Sequence, residues 1–121
     1  MGKQRTFHRS DRVGKHILES LSGLIMTELR DPRAASAQIT EVKVTGDISI
    51  ATVYYVSLES EEFDPELQAV LAKASRFLRG KLSQAINLRH VPILKFKYDE
   101  SLSTGRRMER LLSTLDIPEE E

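Results

Sequence analysis

The sequence contains no cysteine and no tryptophan. The missing thiols exclude disulfide staples, thiol catalysis and cysteine-ligated zinc, and they fit a reducing cytoplasm. No apolar run approaches the roughly 20 residues of a membrane span, so no membrane association is expected. The basic opening, MGKQRTFHRSDR, is not followed by an apolar stretch and does not read as a secretory signal. Net charge is absent as well, with 18 Lys and Arg against 18 Asp and Glu. That balance excludes a globally basic nucleic-acid binder and shifts attention to how the charge is distributed. No Gly-x-Ser-x-Gly elbow, Gly-rich phosphate loop or apolar-set carboxylate pair occurs. His8, His16 and His90 are scattered, without the helical pairing that builds a metal site. No metal, no cofactor and no catalysis are expected.

What is there is segregated. Ser57 to Glu66 carries five acids and no base, whereas Lys73 to Lys97 carries seven bases and no acid. Glu119, Glu120 and Glu121 close the chain. A protein with a positive side and a negative side is the simplest reading.

At 121 residues the chain suggests one domain, long enough to bury roughly two-thirds of its unfolded surface. Residues 1–9 read as a flexible basic arm, 10–115 as the folded domain and 116–121 as an acidic tail. Ser10 and Asp11 can cap a first helix, along which Val13, Ile17, Leu21, Leu24 and Ile25 recur at helical spacing through about Leu29. Gly14 and Gly23 weaken it, and Asp31-Pro32 ends it. Ile39 to Thr45 reads as a strand and Gly46-Asp47 as a turn. A second strand follows, with Ile48, Ile50, Thr52, Tyr54, Val56 and Leu58 as its apolar face. Tyr55 falls on the other, less apolar face. Asp64-Pro65 opens a second helix with the stripe Leu67, Val70, Leu71, Ala74, Leu78, Leu82, Ala85 and Ile86, ended by His90 to Pro92. Leu94, Phe96 and Tyr98 alternate with Lys95 and Lys97 in a third strand. Ser101 to Leu115 reads as a short last helix, which Asp99 and Ser101 cap. The fold class is α/β (α+β), with a three-stranded mixed sheet, helices on one face and the other face wetter.

On a helical wheel Lys73, Arg76 and Arg79 lie together on the far side of the second helix from its apolar stripe, beside Gly80 and Ser83. Lys81 sits at the edge of the stripe. Guanidinium groups bind phosphate with paired donors, and small residues let a phosphate backbone approach closely. Arg89, His90, Lys95 and Lys97 extend the positive surface past the helix. Phe77 and Tyr55 are candidate stacking aromatics, although packing in the core is the plainer role for each.

The stretches LRDPR, KASRFLRGKL and LRHVPILKFKYDESLSTGRRMERLL together resemble ribosome-binding factor A, a bacterial small-subunit assembly factor family, over Asp11 to Leu115. The resemblance implies a type II KH-like RNA-binding domain. It implies a non-catalytic factor that binds the free small ribosomal subunit and its precursor ribosomal RNA. Late maturation around the RNA's 5′-terminal helix and cold adaptation are implied with it. In this family an Ala-x-Gly helix kink replaces the Gly-x-x-Gly phosphate loop of other KH domains. The matching triplet here is Ala74, Ser75 and Arg76, with Arg where the family often has Gly. The RNA-binding residues so expected are Lys73, Ser75, Arg76, Arg79, Gly80, Lys81, Arg89, Lys95 and Lys97. The arm residues Lys3, Arg5 and Arg9 join them, and Arg106, Arg107 and Arg110 offer a second contact. A monomer is expected. The rival reading is an adaptor that docks an acidic protein partner through the basic face.

Overall fold

A computed structural model describes residues 8–101 and Leu112 of the chain. Helix α1 spans Arg9–Glu28, and a 3₁₀ turn follows over Pro32–Ser36. Strands β1 (Ala37–Val44) and β2 (Ile50–Ser57), helix α2 (Pro65–Ala85) and strand β3 (Ile93–Tyr98) complete the order. The sheet runs β1-β2-β3, with β1 antiparallel to β2 and β3 parallel to it. This is the expected helix-strand-strand-helix-strand succession and mixed sheet. Glu100 and Ser101 are helical, and the body of the expected last helix lies outside the described residues.

Helix α1 starts earlier than Ser10, because the Asp11 carboxylate accepts a hydrogen bond from the His8 backbone N–H at 3.1 Å and closes the first turn from inside. Arg9, assigned from sequence to the arm, is therefore helical. Val13, Ile17, Leu21 and Ile25 are buried at four-residue spacing. Gly14 also lies on the buried side, where an added Cβ would stand 2.7 Å from the Val42 carbonyl oxygen. The glycine that weakens the helix in isolation is what lets it lie on β1. Asp64 caps α2 by accepting from the Glu66 N–H at 3.0 Å. Leu67, Leu71, Leu78 and Leu82 are its fully buried residues. The helix ends at Ala85 rather than near His90. The Ile86 N–H still bonds back to the Leu82 carbonyl, and residues 86–92 form a loop.

Both helices pack on one face of the sheet, and β2 shows a reversal. Its buried side is Ala51, Val53 and Tyr55, at 0, 0 and 1 % exposure. The face expected to be buried leaves Ile50, Thr52 and Tyr54 half-buried on the open side, although Val56 of that face is buried. Counting apolar residues misleads here because only one face of the sheet is covered by helices. Tyr55 instead belongs to the core. Its hydroxyl donates to Gln68 Oε1, while Gln68 Nε2 donates to the Phe96 carbonyl at 2.9 Å. That pair ties α2 to β2 and β3. The β1–β2 connection is longer than a two-residue hairpin, with Ile48 at φ 60. Asp47 organises it by accepting from the Thr45 and Ser49 hydroxyls at 2.8 and 2.7 Å.

Candidate nucleic-acid interface

The positive block does not form one surface. Lys73 and Arg76 are exposed on α2, and Gly80 beside them has nothing within 4 Å of an added Cβ. A phosphate backbone can approach closely there. The Ser75 hydroxyl bonds back to the Ala72 carbonyl at 2.9 Å, and the helix is continuous through Ala74, Ser75 and Arg76.

Arg79 has other work. Its Nε and Nη2 donate to the Val91 carbonyl at 3.0 and 2.8 Å. The guanidinium thus pins the loop before β3 against the helix. The residue is still exposed, but its side chain is not the free phosphate fork the wheel suggested. Lys81 is also a correction. Its Nζ lies 3.6 Å from Glu28 Oε1 and 5.7 Å from the Phe77 ring centroid. It bridges to α1 and its charge is answered, because the edge of the apolar stripe faces the neighbouring helix. Phe77 itself is 48 % exposed, so it is not the packed side chain that its position suggested.

On the α1 side Lys73 lines a depression of about 430 Å³ with Leu29, Arg30, Asp31, Arg33 and Glu66 among its walls. Arg33 spans Asp31 and Glu66, each at 3.2 Å. The hydrogen-bonded Arg33 guanidinium holds the Asp31 carboxyl below its ordinary range. That wall is electrically mixed, and among the described residues Lys73 and Arg76 are left as the unanswered cations of the helix. A further group gathers at the end of the sheet, where Arg9, Arg89 and His90 line a second depression of about 490 Å³ with Asp47, Ile48 and Leu88. Sequence order hides this group, since Arg9 meets Arg89 only through the fold.

Lys95 and Lys97 are exposed, but Leu94, Phe96 and Tyr98 between them are buried under the helices. A strand alternates its side chains, so the two lysines project from the opposite face of the sheet to α2. The expected convergence of helix and strand cations therefore fails. The open face instead adds two residues that the sequence reading did not single out, Lys43 and Tyr54, with Lys43 Nζ 5.8 Å from the Tyr54 ring centroid. Their signal lay in the strand alternation, once it was known which face is covered. At the far end of this face Asp99 accepts from the Ser101 and Thr40 hydroxyls, and these bonds lower its carboxyl pKa. Asp99 also accepts from the Ser101 backbone N–H at 3.0 Å, the N-cap expected of it, whereas Ser101, expected to cap alongside it, is itself helical. Lys3, Arg5, Arg106, Arg107 and Arg110 lie outside the described residues. Among the described residues no group of His, Asp or Glu is arranged to hold a metal ion, and no helix is long and apolar enough to cross a membrane.

Residues 9–112 match the family model described as ribosome-binding factor A. A protein of that name from Macrococcus caseolyticus is 38 % identical, over 89 % of this chain and 95 % of its own. Another, from Geobacter sulfurreducens, is 40 % identical over 91 % of this chain and 93 % of its own. The crystal structure of ribosome-binding factor A from Thermus thermophilus superimposes with a TM-score of 0.68 at 22 % identity, covering 76 % of this chain and 97 % of that one. A homology model of the Thermus factor, fitted into a cryo-EM map of a complex of 30S with that factor, gives a TM-score of 0.63 at 22 % identity, over 75 % and 96 % of the two chains.

Proposed function

This chain belongs to the ribosome-binding factor A family, and we propose that it binds the free small ribosomal subunit and assists late maturation of that subunit's RNA. The action is non-catalytic and cytoplasmic. It works by holding RNA in one arrangement near the 5′-terminal helix while processing and folding finish. The observation that carries the reading is the pair of exposed cations Lys73 and Arg76, neither in an ion pair among the described residues, beside exposed Gly80 on α2. Two cations and a small residue are what a close phosphate contact needs. Arg9 and Arg89 supply further positive charge at the end of the sheet, in a depression that Asp47 also lines. The complex of 30S with the Thermus factor supports the same partner for this relative.

Co-sedimentation with free small subunits tests the proposal. Wild type should travel with the subunit, and Lys73→Glu/Arg76→Glu should be largely left behind while remaining folded. Arg79 is kept out of the pair because replacing it also releases the loop at Val91. Equal association of the folded double variant would refute the helix contact. Retained binding to protein-free precursor RNA separates this reading from an adaptor that docks an acidic protein.

A further inference from the structure

The open face of the sheet is a second surface, on the other side of the molecule from α2. Its composition follows from strand register. Lys43 on β1 stands opposite Thr52, and Thr52 opposite Lys95, which makes one row across all three strands. Glu41, Tyr54 and Lys97 make the next row. Ile50 pairs with Ile93 at the end of the sheet, and Ile93 is 47 % exposed. Lys95 and Lys97 are two residues apart, roughly 6.6 Å along the strand, and Lys43 lies two strands over, roughly 10 Å away. The face thus holds a half-buried aromatic ring ringed by three exposed lysines. Two acids share it. Asp99 is engaged by Thr40 and Ser101, and Glu41 is exposed next to Tyr54.

Resting on the RNA-binding reading above, we infer that this sheet face is a separate contact for single-stranded RNA, with a base stacked on Tyr54 and phosphates held by Lys43, Lys95 and Lys97. Charge complementarity decides the occupant. Three cations against two acids, Glu41 and the hydroxyl-bonded Asp99, leave the face net positive, which suits a polyanion, and a cation already lies near the ring face at 5.8 Å. The ring selects the strandedness. An unpaired base can be laid on an aromatic side chain, whereas the bases of a duplex are stacked on each other and present only their edges. The phosphates of an extended strand are spaced to follow Lys95 and Lys97 along β3.

Fluorescence anisotropy of the full chain with labelled oligouridylate of about 12 nucleotides tests this. A blunt RNA duplex is the control. The wild type should prefer the single strand, and three neutralised phosphates should weaken binding about 20-fold between 50 and 200 mM salt. Tyr54→Leu should cost on the order of 10-fold in affinity, and Tyr54→Phe should restore it, since the ring stacks and the hydroxyl does not. Lys95→Glu/Lys97→Glu should lower affinity further and flatten the salt slope. Unchanged oligonucleotide binding in both folded variants overturns the inference, and so does a wild type that binds no single strand. Either result, with co-sedimentation intact, leaves the subunit-binding proposal standing. Loss of subunit association in the lysine variant with unchanged oligonucleotide binding would assign the face to an acidic protein instead, and would also overturn it.

Discussion

Replacing Gly14 by Ala sets two known effects against each other. In an unpacked helix the change is favourable by just under about 1 kcal/mol, because Gly is the poorest non-proline helix former. Here the new methyl would stand 2.7 Å from the Val42 carbonyl oxygen and 3.4 Å from Val44 Cγ2. The first of these is backbone held in the β1–β2 ladder, so it cannot swing aside as a flexible side chain would. Helix α1 must lift off β1, and overpacking of this kind costs typically about 1–3 kcal/mol. Packing wins, and Gly14→Ala should destabilise by up to about 2 kcal/mol. Gly23→Ala is the matched control in the same helix, since nothing lies within 4 Å of its added Cβ. It should stabilise by somewhat under about 1 kcal/mol. The two variants should therefore differ by about 1–3 kcal/mol. For a domain of this size that separates their melting temperatures by roughly 4 °C for each kcal/mol. Urea denaturation followed by circular dichroism reads the difference directly, with unchanged m-values confirming that only stability moved. Should Gly14→Ala stabilise as much as Gly23→Ala, the helix does not rest on the Val42 carbonyl, and the account of α1 docking is wrong.

Two other side chains carry predictions of the same kind. Arg79→Met should retain most of the aliphatic packing but lose both hydrogen bonds to the Val91 carbonyl. Because the side chain is partly solvated, the loss should be about 1–2 kcal/mol in chemical denaturation, and Arg79→Lys, with no fork, should not fully restore it. Tyr55 gives a pH dependence. Burial pushes its phenol up to about 12 from the ordinary 10.0, with the nearby Asp64 charge adding to the shift. The folded state therefore holds the proton more tightly than the unfolded chain. The stability this contributes is present below about pH 10 and is lost as pH rises toward about 12. Tyr55→Phe should flatten that alkaline decline in denaturant midpoints measured from about pH 8 to 12, and an unaltered decline would place its source elsewhere.

The sequence was most readable where local rules act alone. The four-residue spacing of Val13, Ile17, Leu21 and Ile25 needs no tertiary knowledge, and neither does the Asp64-Pro65 start of α2. It was least readable where an outcome depends on which surface is covered. Strand β2 offers two plausible apolar faces. The buried one carries Ala51, Val53 and Tyr55, and no count of hydrophobic residues reveals that. The same ignorance hid Tyr54 and Lys43. The wheel grouped Lys73, Arg76 and Arg79 correctly as outward-facing. It had no access to Val91, whose carbonyl reaches Arg79 only after the chain has folded back through residues 86–92. The charge of Lys81 is answered by Glu28 from a different helix, a partner the wheel cannot show. Arg9 and Arg89 could not be joined for the same reason. Long side chains find partners that are distant in sequence, so charge patterns along the chain overstate how many cations are free.

The central claim is that the unanswered cations of α2 hold small-subunit RNA through its phosphates. Affinity for protein-free precursor RNA, measured across a salt series, tests it most directly. If about five phosphates are neutralised, wild-type binding should weaken on the order of 10²-fold between 50 and 200 mM salt. Lys73→Glu/Arg76→Glu should bind more weakly and with a shallower slope, short by about two phosphates. A folded double variant that matches the wild type in both affinity and slope would contradict the claim.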